Sequence, residues 1–361
     1  MQQADNILQQ SITGCILGTA VGDAIGLPYE GIPKRRLQKL KPPLDRHRFL
    51  FGRGMVSDDT EHTCMVAQAV AASAGDVDEF SRILSSLLKT WLLSVPAGTG
   101  MATARAIAKL LVGFPIEKSG VFSAGNGPAM RSAIIGVCFG NDPDRMRSLV
   151  RASTRITHTD PKAELGALAV AAAAYYSTAH HAEDDVPAHY LEYLSDLVSN
   201  ESGSNELLNL IAKAAASANA GETTASFAAA MGWEKGISGY IYATVPAVLH
   251  AWFRHPDDYA SAITGLIECG GDTDTTAAIA GAIVGAGVGV EGIPDIWLQE
   301  LMEWPCSVVW MEKLGRQLYE VINGGIAQKP IRPAAPFVLA RNAFFLAVVL
   351  GHGFRRLLPP Y

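Results

Sequence analysis

The chain has 361 residues, 49% of them hydrophobic, and a formal net charge of −6 at pH 7. That length and apolar content allow one large domain with a sizeable core and no covalent staples. Charges of both signs are scattered rather than blocked, which argues against nucleic acid or an anionic membrane as the main partner. The five cysteines, Cys15, Cys64, Cys138, Cys269 and Cys306, are widely spaced and include no CxxC pair. Neither a disulfide framework nor a zinc cluster is expected, and a reducing compartment fits. MQQADNILQQSITG lacks the basic start of a signal peptide. The apolar runs Ala277 to Val290 and NAFFLAVVLG fall short of the ~20 residues of a bilayer span. A cytoplasmic protein with no membrane partner is the expectation.

Helical periodicity dominates from the start. GTAVGDAIGLPYEG (Gly18–Gly31) reads as a glycine-punctuated helix ending near Pro28, followed by Tyr29 and Glu30. It matches neither GxGxxG nor GxxxxGK[ST], so it is not a phosphate loop of those kinds. RFLFGRGMV (Arg48–Val56) is the best candidate for a short extended segment. DEFSRILSSLLKTWLL places Phe80, Ile83, Leu84, Leu87, Leu88 and Trp91 on one helical face. SAGNGPAMRSAIIG (Ser123–Gly136) is a Gly-Asn-Gly turn followed by Pro128 at a helix start, a place where backbone N–H groups can hold a phosphate or other polar ligand. RITHTDPKAELG places His158 and Asp160 ahead of another helix.

PDRMRSLVRAS, PKAELGALAVAAAAYYS, HYLEYLSDLVS, NELLNLIAKAAASA, YIYATVPAVLHAWF and PDIWLQELMEW are all predicted helices. Frequent Ala and Gly inside them let helix axes approach closely. The expectation is an all-α fold: a compact single-domain orthogonal helical bundle with a central dinuclear metal cleft. Its domain runs over residues 1–327. Residues 328–361 form a Pro-rich segment and a C-terminal tail, which either docks a partner or packs on its own bundle.

Two stretches carry the chemistry. GMVSDDTEHTCMVAQAVAA places Ser57, Asp58, Asp59 and Thr60 before an apolar helix, and ECGGDTDTTAAIAGAIVGAG places Asp272 and Asp274 before another. Capping explains part of this: Asp58 with Glu61 fits a capping box, and Asp272 can cap its own helix. A cap uses one carboxylate, however, and each mouth has two, with hydroxyls alongside. Brought together, four carboxylates repel and need a counter-charge. Their all-oxygen donor set suits Mg²⁺, Mn²⁺ or Ca²⁺ rather than zinc, and four carboxylates can neutralise two divalent ions. His62, one turn into the first helix, is either a ligand or a packing residue, the latter being commoner.

In their order, GDAIGLPYE, SDDTEHT, GNGPAMR, THTDPKAELGA and GGDTDTTAAIAGAIVGA resemble the ADP-ribosylglycohydrolases, the type that includes the dinitrogenase-reductase-activating glycohydrolase. The resemblance implies an all-α fold, two Mg²⁺ or Mn²⁺ ions, and removal of ADP-ribose from modified protein side chains, often arginine. It implies that Ser57, Asp58 and Asp59 bind metal from one side and Asp272, Asp274 and Thr275 from the other. Glu30 becomes a mobile acidic residue near the metals and the reacting ribose, and Glu30 and Asp274 are the proton-handling candidates. Gly125, Asn126, Gly127, Met130 and Arg131 are implied to line the ADP-ribose pocket, with His158 reaching the substrate and Tyr240 nearby. Ser57 stands where the family often has threonine, and keeps the hydroxyl.

The expected partner is an ADP-ribosylated protein. Two alternatives stay open: an immunity protein that binds an ADP-ribosyltransferase toxin or effector, with or without hydrolysis, and another Mg²⁺-dependent hydrolase of ADP-ribose derivatives or phosphate esters. No GxSxG elbow or HExxH is present, and Cys64 lies inside an apolar helix, which disfavours a reactive thiol.

Overall fold

The computed structural model describes residues 2–40, 42–179 and 185–355. In chain order the helices are α1 (Gln2–Gly26), α2 (Lys34–Leu40), α3 (Asp58–Ser73), α4 (Val77–Leu93), α5 (Met101–Leu111) and α6 (Ala133–Phe139). Then come α7 (Pro143–Arg155), α8 (Pro161–Ala179), α9 (Val186–Leu197), α10 (Ser204–Asn219), α11 (Thr224–Ala230) and α12 (Ile241–Arg254). The last are α13 (Tyr259–Ile267), α14 (Thr273–Val288), α15 (Asp295–Gln299), α16 (Val308–Gly324) and α17 (Ala335–Arg355). Among the described residues β-structure is limited to isolated bridges. The fold is the expected all-α bundle.

Helices α1 and α14 form its axis. They pack antiparallel, backbone against backbone, because small residues recur every fourth position on both. A Cβ on Gly18 would lie 2.1 Å from the Gly281 carbonyl oxygen, and one on Gly22 would lie 2.2 Å from that of Ala277. No side chain fits between them. The Tyr259 hydroxyl donates to the Gly18 carbonyl at 2.6 Å, and the Thr273 hydroxyl donates to the Gly26 carbonyl at 2.9 Å. This contact brings the C-terminal end of α1, with the 3₁₀ turn Leu27–Tyr29 and Glu30 beyond it, to the N-terminal mouth of α14.

The amphipathic helix predicted over Asp78–Leu93 is α4, and all six of its predicted core residues are buried. Two expectations change. PDIWLQELMEW yields only the short α15, because Glu300 and Glu303 turn inward: Glu300 pairs with Arg46, and Glu303 pairs with Arg341 at 2.7 Å. NAFFLAVVLG is not an isolated short run. It lies within α17, whose 21 residues are long and apolar enough to cross a membrane, as is the largely buried stretch Ile7–Tyr29. Yet α17 docks on the bundle through buried Arg341, which contacts Glu303 and Glu61, and inserting it in a bilayer would strip that cation of both partners. Before it, Gln328 donates to the Ala71 carbonyl and Gln68 to the Ile331 carbonyl, which lays the Pro-rich segment along α3. Residues 356–361 of the expected tail lie outside the described residues.

RFLFGRGMV forms the expected extended pieces, a tight turn bridged from Leu50 to Arg53 and a bridge from Gly54 to Leu301.

Candidate active site

The mouth of α3 is held by residues distant in sequence. Ser57 is the N-cap, and its hydroxyl accepts from the Asp59 N–H at 3.4 Å. From α1, the buried Asp23 carboxylate accepts from the Ser57 N–H at 2.8 Å, the Thr60 N–H at 3.2 Å and the Thr60 hydroxyl at 2.6 Å. Orphan amides of the first turn are thereby satisfied from outside the helix. The expected capping box does not form. Glu61 instead accepts from the Trp91 indole at 2.5 Å and from Arg341 at 3.0 Å. Asp58 is thus left free of capping duty and lines the cleft.

Asp272 occupies the N-cap position of α14, yet its side chain makes no capping bond. Its Oδ2 accepts from the Asn126 amide at 2.7 Å. Three residues on, the Thr275 hydroxyl donates to Asp59 Oδ2 at 3.2 Å. The two acidic mouths therefore meet, although more than two hundred residues separate them. Asp59 Oδ1 and Asp274 Oδ1 are buried and have no hydrogen-bond partner. Two orphaned carboxylate oxygens at a cluster of acids and hydroxyls fit a hard cation, since a buried acceptor left unpaired is costly. Among the described residues, no three or more His, Cys, Asp or Glu side chains stand close enough together as they are to hold a metal ion, so the expected dinuclear centre is not preformed.

The polar wall of the cleft is stitched from three loops. Asn126 N–H donates to the Gly239 carbonyl at 2.9 Å, Ile241 N–H to Ala124 at 2.9 Å, and Asp272 N–H to Ile237 at 2.8 Å. A side chain at either of two glycines would crowd this wall. A Cβ on Gly127 would lie 3.2 Å from His158 Cε1, and one on Gly239 would lie 3.1 Å from Asp272 Oδ2. The cleft holds about 840 Å³ and also takes in Ser57, Asp274, Thr275, Met130, His158 and the exposed Glu30.

Electrostatics match the crowding. Burial, with repulsion from Asp23, Glu61 and Glu30, pushes Asp58 up; burial with Asp23, Asp58 and Asp272 pushes Asp59 up. Burial with Glu30, Asp272, Asp59 and Asp23 does the same to Asp274. Asp23 is pushed up to about 7 by burial, although four hydrogen bonds oppose the shift. Burial and the nearby Arg131 cation hold His158 down to about 3, so its ring is neutral, with Nδ1 2.9 Å from the Thr157 hydroxyl.

With this geometry in place, relatives can be compared. The ADP-ribosylglycohydrolase family signature matches residues 4–327. The chain belongs to the ADP-ribosylglycohydrolase family. It is 29% identical over 326 residues to an uncharacterized protein of Archaeoglobus fulgidus, covering 87% of this chain and 97% of that one. It is 27% identical to the ADP-ribosyl-[dinitrogen reductase] glycohydrolase of Rhodospirillum rubrum (80% and 89% covered) and 27% identical to the human ADP-ribosylhydrolase ARH3 (79% and 87%). A solved ADP-ribosylglycohydrolase-related protein complex shares the fold, with a TM-score of 0.64 at 24% identity, covering 88% of this chain and 99% of that chain. The activity class is ADP-ribosyl glycohydrolase.

Within this family frame, the structure gathers Glu30, Ser57, Asp58, Asp272, Asp274, Thr275, Gly125, Asn126, Gly127, Met130 and His158 around one cleft, with Asp59 just behind. Arg131 departs from expectation. It is fully buried behind the wall, donating to Ser153 and to the Thr157 hydroxyl at 2.7 Å, and contacting His62. It therefore braces the loop of His158 rather than facing the cavity. His62 packs against Trp91 with ring centroids 4.4 Å apart, the packing alternative. The Tyr240 hydroxyl accepts from Lys162 at 3.1 Å, and its side chain is outside the cleft wall. Cys64 is buried and its thiol is pushed up by that burial.

Asp23 was not singled out from the sequence; its signal was a carboxylate in the apolar, glycine-spaced second half of α1. It also missed Phe345, Val349 and His352 of α17, which carry no motif at all.

Proposed function

We propose that the protein is a divalent-cation-dependent hydrolase that removes ADP-ribose from modified protein side chains, with arginine as the acceptor. The observation that carries this reading is the meeting of the two mouths through Thr275 and Asp59, which leaves one oxygen each of Asp59 and Asp274 without a partner. Ser57, Asp58 and Asp59 would hold cations from α3, and Asp272, Asp274 and Thr275 from α14. Two Mg²⁺ or Mn²⁺ ions, when bound, supply counter-charge, a grip on ribose hydroxyls and acidification of water. The acidic lining of the cleft favours approach of a cationic guanidinium over a neutral acceptor.

The chain's own residues divide the remaining work. Asn126 fixes the Asp272 carboxylate, which sets the aim of its second oxygen. Gly125, Gly127 and Gly239 let a polar ligand approach backbone rather than side chains. The neutral His158 offers its ring edge to the same space. Hydrolysis forms a bond from water oxygen to C1″ and breaks the bond from C1″ to the acceptor nitrogen, which departs with a proton. The transition state has oxocarbenium character, as glycoside cleavage generally does. In this reading Glu30 and Asp274 take the proton from water and return one to the leaving nitrogen.

The direct test is release of free ADP-ribose from an arginine-ADP-ribosylated protein with Mg²⁺ or Mn²⁺, repeated with a chelator. Release that the chelator stops supports the reading. A folded, metal-supplied protein that releases nothing overturns it.

A further inference from the structure

The cleft has two unlike ends. One is polar: Gly125, Asn126, Gly127, Gly239, Ser123 and His158. The other, on the α3 side where Met55 precedes Ser57 by two residues, is apolar: Leu27, Phe49, Ala97, Phe345 and Val349, with His352 against Phe49. Phe345, Val349 and His352 come from α17, beyond residue 327 where the family signature stops.

Helix α17 is fixed in that position by two devices. Its inward face recurs at helical spacing through Arg341, Phe345, Val349 and His352. The first of these donates to both Glu303 oxygens, at 2.7 and 2.9 Å, to Glu61 at 3.0 Å, and to the Val56 carbonyl at 2.6 Å. Val56 immediately precedes Ser57, so α17 is tied to the segment that begins the α3 acidic mouth. Farther along, Leu27, Phe49, Met55 and Phe345 form a small core of their own, apart from the main one. The Phe49 ring lies 5.9 Å from Phe345 and 5.4 Å from His352, and His352 Nε2 is 3.2 Å from the Pro28 carbonyl oxygen, two residues before Glu30.

We infer that α17 is the wall of the acceptor side of the cleft, and that Val349 and Gly353, which line the cleft on its half-buried and exposed faces, determine which modified side chains are accepted. The inference rests on the functional reading above. ADP-ribose, with two phosphates and two riboses, suits the polar end, and its reacting C1″ belongs at the acidic cluster. The acceptor then leaves the scissile bond toward the apolar end. A long side chain with a hydrocarbon stem, delivered from an extended peptide, packs its methylenes on the half-buried Val349, which the buried Phe345 supports from behind. The wall narrows the passage and disfavours an acceptor held on a flat folded surface.

The test uses the full chain with Mg²⁺. Val349→Trp and Gly353→Trp add bulk at cleft-lining positions; nothing lies within 4 Å of the position a Gly353 Cβ would take, so the second side chain starts in open space. Ala347→Trp on the exposed face of α17 is the control. Two quantities are measured, the affinity for free ADP-ribose and kcat/KM on an arginine-ADP-ribosylated peptide. The inference expects each cleft-side variant to lose roughly tenfold in kcat/KM while ADP-ribose affinity moves by less than about twofold, and the control to change neither. Equal loss of ADP-ribose affinity would place α17 against ADP-ribose itself and overturn the assignment, as would unchanged turnover in both variants. An unaltered protein that binds no ADP-ribose overturns the functional reading, and this inference with it.

Discussion

The Thr275 hydroxyl donates a hydrogen bond to Asp59 Oδ2 at 3.2 Å, and that bond joins two helix N-termini from opposite ends of the sequence. Helix N-termini favour negative charge, but the carboxylates gathered here repel one another and are buried. The junction is therefore under electrostatic load, and each prediction below probes how the chain carries it.

Asp274→Asn removes one buried, unpartnered carboxylate. Mg²⁺ at a hundred times its dissociation constant stabilises a native protein by about 2.7 kcal/mol. The unaltered protein should show a gain of that order in urea denaturation, and Asp274→Asn should lose most of it together with turnover. In chelator the variant should be at least as stable as the original, because a charge is gone from a repulsive cluster. A variant that keeps both Mg²⁺ stabilisation and activity would remove Asp274 from the cation site.

Asn126→Ala frees the Asp272 carboxylate from its 2.7 Å hydrogen bond. Residues that orient a ligand are typically worth about 10–100-fold in metal affinity or activity. A Mg²⁺ titration of activity should shift by that factor while the melting temperature in chelator stays close to the original. An unshifted titration would make Asn126 a mere loop residue.

His158 should stay neutral through the physiological range. Its folded pKa, near 3, lies below the ordinary value because of burial and Arg131. Its contribution to stability is therefore complete above about pH 6.5. It is lost as pH falls from there toward the folded value, at roughly 1.4 kcal/mol per pH unit where only the unfolded chain is protonated. NMR of the imidazole should show no titration between about pH 5 and 8. A midpoint near the unperturbed value would contradict the buried geometry.

Arg341→Met breaks the buried cluster that fastens α17. Burial by itself would weaken this cation, but the carboxylates of Glu303 and Glu61 hold it charged. Removing one partner of a buried ion pair typically costs about 3–5 kcal/mol. Denaturation should register that loss, and Arg341→Lys should recover only part of it, since one ammonium cannot serve Glu303, Glu61 and the Val56 carbonyl as the planar fork does. Full stability in Arg341→Met would mean that the Leu27–Phe49–Phe345 cluster alone docks the helix.

The sequence by itself determined the helical class and the chemistry of the two mouths. The class is legible because amphipathic spacing, as in Phe80 to Trp91, is a local pattern. The mouths are legible because SDDT and GDTD put more carboxylates and hydroxyls at a helix start than a cap uses. The Gly-Asn-Gly turn and His158 were visible as segments, and the resemblance supplied their order. Only the tertiary structure decided which acids meet and what stands behind or across from them. Asp23 caps α3 from α1 because the glycine faces of α1 and α14 bring their ends together, a contact no local window contains. Arg131 follows GNGPAM as a pocket residue would, yet its side chain turns inward to Ser153 and Thr157, because direction depends on the helix packed behind it. Likewise α17 reads as an apolar tail until Arg341 finds Glu303 and Glu61. Burying that charge requires two carboxylates that the bundle has already gathered in one place.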